Sequence, residues 1–212
     1  MKTRAILALL PLSCLMMPGA AFAAQTPAVS PGMTGKPSFD CATATGQIPA
    51  LICKDAELGE LDAKLASVFA SALKKVEAMP NTAPEIRHMK AYELRWSRER
   101  NECKDTADAR ACTISSYRHR IASLEARFLL AKAKPPMVFA CKGNAHHEMI
   151  ATFVESDPPS VRLERGDKTA IAIDTGNPPG ARYTGSSGLS FSLRGDMATM
   201  TWPKTAAVEC VL

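Results

Sequence analysis

The side chains able to do chemistry in this chain are seven cysteines, four histidines, a few closely spaced carboxylates and two serines in a glycine-flanked turn. His146-His147-Glu148 is the one concentration of metal-ligating types. Neighbouring strand residues point to opposite faces, so these three do not converge on one ion, and a solvated turn is the expectation. His88 and His119 fall on the charged sides of expected helices. Ser186 and Ser187 have no obvious basic partner, and the chain carries neither a Gly-x-Ser-x-Gly elbow nor a phosphate-binding loop. Glu57 with Glu60, and Glu155 with Asp157, have the form of an acid/base couple, but such positions ordinarily carry solvated charge. The expectation is a protein without catalytic residues, metal or cofactor.

The cysteines make more sense as staples than as nucleophiles. Lys2 and Arg4, the apolar run Ala5 to Met17 and Ala21-Phe22-Ala23 form the pattern of a signal peptide over residues 1–23, too short to span a bilayer. Cys14 lacks a lipobox, because Pro11 and Ser13 stand where Leu and a small residue belong, so a soluble exported protein is expected, periplasmic or secreted. Cleavage removes Cys14 and leaves six cysteines in a compartment that permits disulfides. Locality favours Cys41 with Cys53, Cys103 with Cys112 and Cys141 with Cys210, among fifteen connectivities that six cysteines allow.

Charge excludes some partners. Cleavage would leave 24 basic side chains against 21 acidic, too mild a balance for nucleic acid or an anionic membrane. Residues 24–136 hold 17 basic and 13 acidic side chains, whereas residues 137–212 hold 7 and 8, so two modules of different electrostatic character are implied.

The hydropathy pattern draws the same boundary. Residues 24–37, rich in Pro and Gly, read as a flexible leader. Over 38–130 the period is helical. A short element at "IPALIC" precedes a helix capped by Asp55 with a stripe Leu58, Leu61, Leu65, Val68, Phe69, Leu73 and Val76, ending near Met79-Pro80. Thr82 and Glu85 have capping-box spacing before a helix carrying Ile86, Met89 and Trp96. A third helix places Ile114, Tyr117, Ile121, Leu124 and Phe128 on one face. The Arg- and Glu-rich run "RWSRERNECK" reads as an exposed, ion-paired face rather than an anion site. Residues 131–136 are a linker.

Beyond the linker the period falls to two. "MVFAC", "MIATFVES", "SVRLER", "TAIAID", "GLSFSLR", "MATMTW" and "AVECVL" read as short strands. Gly166-Asp167 and Gly195-Asp196 sit between strands with the composition of two-residue hairpins with positive backbone torsions, so the Arg194-Gly195-Asp196 triplet reads as a turn rather than an adhesion signal. The fold class is α+β in separate domains: a small disulfide-stapled helical bundle, then a small antiparallel barrel or sandwich over 137–212.

"FACKG", "PPSVRLERGDKTAIAI", "GARY", "FSLRGDMATMTW" and the terminal "ECVL" resemble the MliC family, exported inhibitors of c-type lysozyme built as an eight-stranded barrel with a terminal disulfide. Residues 38–130, through "FDCATATGQIPALICKDAELGELDAKLASVF", "RWSRERNEC" and "YRHRIASLEARF", are similar to the helical domain of LprI-type lysozyme-inhibitor lipoproteins. The resemblance implies that the partner is a c-type lysozyme. It also implies that the barrel contacts the enzyme's catalytic carboxylates through a Ser before "GARY" and a Lys before the Gly-Asp turn. Pro179 replaces that Ser, beside Gly180, and Arg194 replaces that Lys, keeping the cation on a planar fork. Ser186 and Ser187 are the expected substitute donors. The alternative, favoured by Pro179, is a non-inhibitory periplasmic adaptor that has kept the scaffold, and a peptidoglycan hydrolase would need a carboxylate pair in a cleft.

Overall fold

The structure is a computed structural model that describes residues 35–80, 82–142, 148–176 and 182–212. Residues 1–34, which include the expected signal peptide, Cys14 and most of the leader, lie outside the described residues, as do Pro179, Gly180, His146 and His147.

Helical periodicity is realised as α1 (Gln47–Lys54), α2 (Ala56–Glu77), α3 (Ala83–Asn101) and α4 (Ala109–Phe128), with a 3-10 turn at Glu102–Asp105 between the last two. Asp55 caps α2, its Oδ1 accepting from the Leu58 amide at 3.1 Å, which satisfies one of the orphan donors of the first turn. Asp108 does the same for α4 through the Ala111 amide at 2.9 Å. Thr82 does not form the expected box: its backbone is already helical (φ −84°, ψ −14°), and a capping side chain needs an extended backbone to reach back. Along α2, Leu58, Leu65, Ala72 and Val76 are buried, and Leu61, Val68, Phe69 and Leu73 lie partly buried against the same core. Cys41–Cys53 fastens the incoming chain to α1, and Cys103–Cys112 clamps the turn between α3 and α4.

The last residues of the leader are fixed rather than flexible. A side chain at Gly59 would fall 2.1 Å from the Gly35 carbonyl oxygen, so α2 and residue 35 pass at a distance only glycine allows. Ser38 then ties in through its amide and hydroxyl, both donating to Asp62 Oδ2 at 2.7 and 2.6 Å.

Eight strands follow: β1 (Met137–Cys141), β2 (Glu148–Val154), β3 (Ser160–Arg165), β4 (Lys168–Asp174), β5 (Arg182–Thr184), β6 (Ser190–Arg194), β7 (Met197–Thr201) and β8 (Ala207–Val211). Each pairs antiparallel with the next, and β8 returns to β1 to close a barrel. The closing seam sets Cys141 opposite Cys210, joined by the third disulfide. β5, three residues long, is the strand that periodicity misses.

Period-two alternation sends Phe139, Met149, Ala151, Val161, Leu163, Tyr183, Phe191, Ala198 and Met200 inward, where they are buried. Eight strands enclose an interior just wide enough for such side chains to fill. Both Gly-Asp pairs are two-residue turns, Arg165 pairing with Lys168 and Arg194 with Met197. Only the glycines take positive φ, +59° and +57°; the aspartates do not, so these have the form with Gly at the first central position instead of two positive torsions.

The expected linker is itself hydrogen-bonded. Lys134 donates its amide to the Phe153 carbonyl at 2.9 Å, and Glu155 donates to the Lys132 carbonyl at 2.8 Å, so residues 132–134 run beside the end of β2. The helix before them, α4, packs along β3 and β4.

Candidate functional site

In an up-and-down barrel, successive loops alternate between the two ends. The β2–β3 and β4–β5 connections, the β6–β7 turn and the last residues of β8 share one end. The β3–β4 turn, the β5–β6 connection and the β7–β8 connection share the other. Arg194 closes β6 at the first end and is exposed. It has no ion-pair partner among the described residues, so its five donors face outward.

Beside it lies an apolar rim. Met197 and Val211 are cross-strand partners, half exposed at 50 % and 42 %. Leu212 continues from Val211 with its amide donating to the Asp196 carbonyl at 2.9 Å, and Val138 sits on the neighbouring strand two residues before Ala140, the partner of Val211. Half of the exposed large apolar side chains among the described residues gather on this patch of wall. A cation next to a contiguous apolar surface is the composition of a protein-binding patch.

The "GARY" motif divides between scaffold and loop. Tyr183 is buried, its ring 5.7 Å from Phe153 and 6.2 Å from Phe191, so it anchors β5 in the core. Arg182 is exposed at the same end as Arg194. Pro179 and Gly180 belong to the connection at that end but lie outside the described residues.

Ser186 and Ser187 do not join this site. They form a 3-10 turn (Ser186–Gly188) before β6, exposed, at the opposite end of the barrel. Ser190 to Arg194 alone spans roughly 13 Å of strand, and the serines lie beyond it. Sequence proximity misled here, because a strand carries its two flanking loops apart.

A second polar cluster lies at the Arg194 end, where the bundle meets the barrel. Arg110 Nε donates to Asp55 at 2.6 Å, its Nη2 reaches Glu57 at 2.7 Å, and Arg118 bridges Glu57 at 3.2 Å and Asp157 at 4.0 Å. The Arg110 guanidinium holds the Asp55 carboxyl below the usual aspartate range, against the opposing effect of partial burial. Glu155 pairs with Lys132 at 3.3 Å. Glu57, Glu155 and Asp157, read above as members of possible acid/base couples, are thus partnered by cations.

Comparison with protein-family models, curated proteins and solved structures returns no match to this chain.

The run "RWSRERNECK" is less uniform than its charge pattern suggests. Arg95 and Glu99 form the expected exposed pair at 3.4 Å. Arg100, by contrast, is buried, donating to the Tyr117 hydroxyl at 2.6 Å, and Tyr117 donates to Asp62 at 2.7 Å. Asp62 was legible as a candidate for this role, since it lies four residues after Leu58 and three before Leu65, on the apolar stripe.

Proposed function

We propose that this chain is an exported inhibitor of c-type lysozyme that docks through the Arg194 end of its barrel. The observation that carries the reading is Arg194 itself: an exposed guanidinium at a rigid two-residue turn, without an ion-pair partner among the described residues. It stands at the position where the resemblance to the MliC family expects a cation. The β4–β5 connection, to which Pro179 and Gly180 belong in sequence, is anchored by Asp174 and Arg182 at the same end of the barrel as Arg194. The apolar rim of Met197, Val211 and Leu212 supports it, because buried apolar area around a desolvated charge excludes water and strengthens the contact.

A guanidinium inserted between carboxylates makes charge-assisted, bidentate hydrogen bonds worth about 1.5–3 kcal/mol. Arg194→Ala is expected to weaken lysozyme binding at least about tenfold in isothermal titration. Arg194→Lys is expected to retain a larger share of affinity. Mature protein that leaves c-type lysozyme fully active at stoichiometric excess would sink the proposal.

A second reading is favoured by Pro179, which supplies no hydroxyl where the resembling family has Ser. In that reading the chain is an envelope adaptor that keeps the scaffold without the inhibition, and lysozyme titration with no heat change beside a stable complex with another envelope protein would support it.

A further inference from the structure

Thr169, Ile171 and Ile173 point out of the barrel from β4, while Ala170, Ala172 and Asp174 face the interior. The larger apolar residues of this strand are therefore on its outer face, which is the pattern of a strand covered on both sides. The cover is α4, with α3 across the gap, and it is incomplete. Between the helices and β4 remains a cavity of about 510 Å³, within the size range of small-ligand sites and at the kind of domain junction where they concentrate.

Its walls are largely apolar: Met89, Leu124 and Phe128 from the helices, Ile171 and Leu189 from the barrel, and Trp202 at the margin. The charges around it are mostly matched. Arg127 faces Glu85 at 3.6 Å, and Arg120 holds Glu93 at 2.7 Å while its guanidinium lies 4.5 Å from the centre of the Tyr92 ring. Lys168, at the start of β4, also lines the cavity and has no ion-pair partner among the described residues. Ser186 and His88 add hydrogen-bonding groups. The cavity thus combines a largely apolar wall with one exposed positive charge, Lys168, that has no ion-pair partner among the described residues.

We propose that this interdomain cavity binds an anionic amphiphile: a small molecule with a single carboxylate or sulfonate paired to Lys168 and a ring system or alkyl chain against Phe128, Ile171 and Trp202. The site is separate from the Arg194 end and stands whether or not the chain binds lysozyme. Ser186, unsuited to the lysozyme rim, finds a role here as a donor to the anion.

The test is a fluorescence titration of the full mature chain with anilinonaphthalene sulfonate, followed by competition with dodecanoate and with dodecyltrimethylammonium. The expected result is saturation at one probe per chain, displacement by dodecanoate and none by the cation of equal chain length. Lys168→Glu, an exposed substitution that leaves both cores untouched, is expected to weaken probe binding about tenfold or more. Trp202→Ala should weaken it too, with thermal unfolding measured alongside because Trp202 also packs on the barrel core. Absence of saturable binding, equal displacement by both amphiphiles, or unchanged affinity in Lys168→Glu would each overturn the assignment.

Discussion

The helical module buries a carboxylate, a guanidinium and a phenol at its centre, whereas the barrel fills its centre with Phe139, Phe153, Tyr183 and Phe191, ring centres 5.7 to 6.3 Å apart. Helices joined by short turns can slide and rotate against one another, and an apolar stripe alone resists that weakly. Tyr117 of α4 accepts from Arg100 of α3 and donates to Asp62 of α2, so one register of the three helices satisfies the whole chain of bonds. Burial pushes the Tyr117 hydroxyl well above the ordinary tyrosine range, keeping it neutral and able both to donate and to accept. A barrel has no such need. Its ladders and its two-residue turns already define register, since a slip of one residue would turn every core side chain outward.

The sharpest way to break this contrast is to delete one member from each centre. Asp62→Ala and Phe191→Ala are each expected to cost about 4 kcal/mol in urea unfolding, the first by stranding a buried guanidinium and the second by opening a cavity. Their rescue should differ. Replacing Asp62 and Arg100 together by Leu and Met is expected to recover most of the loss, because no unpaired charge is left. A cost below about 1 kcal/mol for Asp62→Ala would remove the polar cluster from the account of the bundle.

The disulfides sharpen the comparison at the next level. Cys141 and Cys210 are 69 residues apart and Cys103 and Cys112 only 9. Chain-entropy arguments then give about 4 kcal/mol for the first bridge and about 3 for the second. Paired Cys→Ala variants should melt in that order. Tyr117→Phe follows, at about 2 kcal/mol, because it removes one hydroxyl from a buried chain of hydrogen bonds while keeping the ring packed edge-on to Trp96 at 5.3 Å.

The smallest effect is at the bundle's edge. Asp55→Asn keeps a capping oxygen but loses the charge facing Arg110, a difference within about 1 kcal/mol for an exposed pair. Because the folded carboxyl titrates below its ordinary range, its stabilisation is complete at neutral pH and disappears as pH falls through the lowered folded value. The melting-temperature gap between wild type and Asp55→Asn should therefore hold from neutral to mildly acidic pH and close only below the ordinary aspartate range.

Local patterns were legible in the sequence and remote ones were not. The helical stripe, the Asp55 cap, the Gly-Asp turns and the even spacing of strands all depend on neighbours within a few positions, and all three disulfides join the cysteines that locality pairs. The Asp62–Tyr117 bond spans 55 residues, and a carboxylate on an apolar stripe was its only trace. The cover over Ile171 and Ile173 was visible as an inverted alternation in β4 but required knowing that a helix lay above it. At the candidate site, the turn after Arg194 was readable from its Gly-Asp pair, whereas a binding role for Arg194 is implied only by the family resemblance. The partnership with Ser186 and Ser187 was not, since short separation along an antiparallel chain puts loops at opposite poles.

The hydrogen bonds of residues 132–134 to β2 have a steric consequence. They hold the bundle as a ledge beside the barrel, with Arg118 and Asp157 at its edge, instead of as a ball on a string. The two modules are thereby tied side by side, and the bundle keeps a fixed station against β2, β3 and β4.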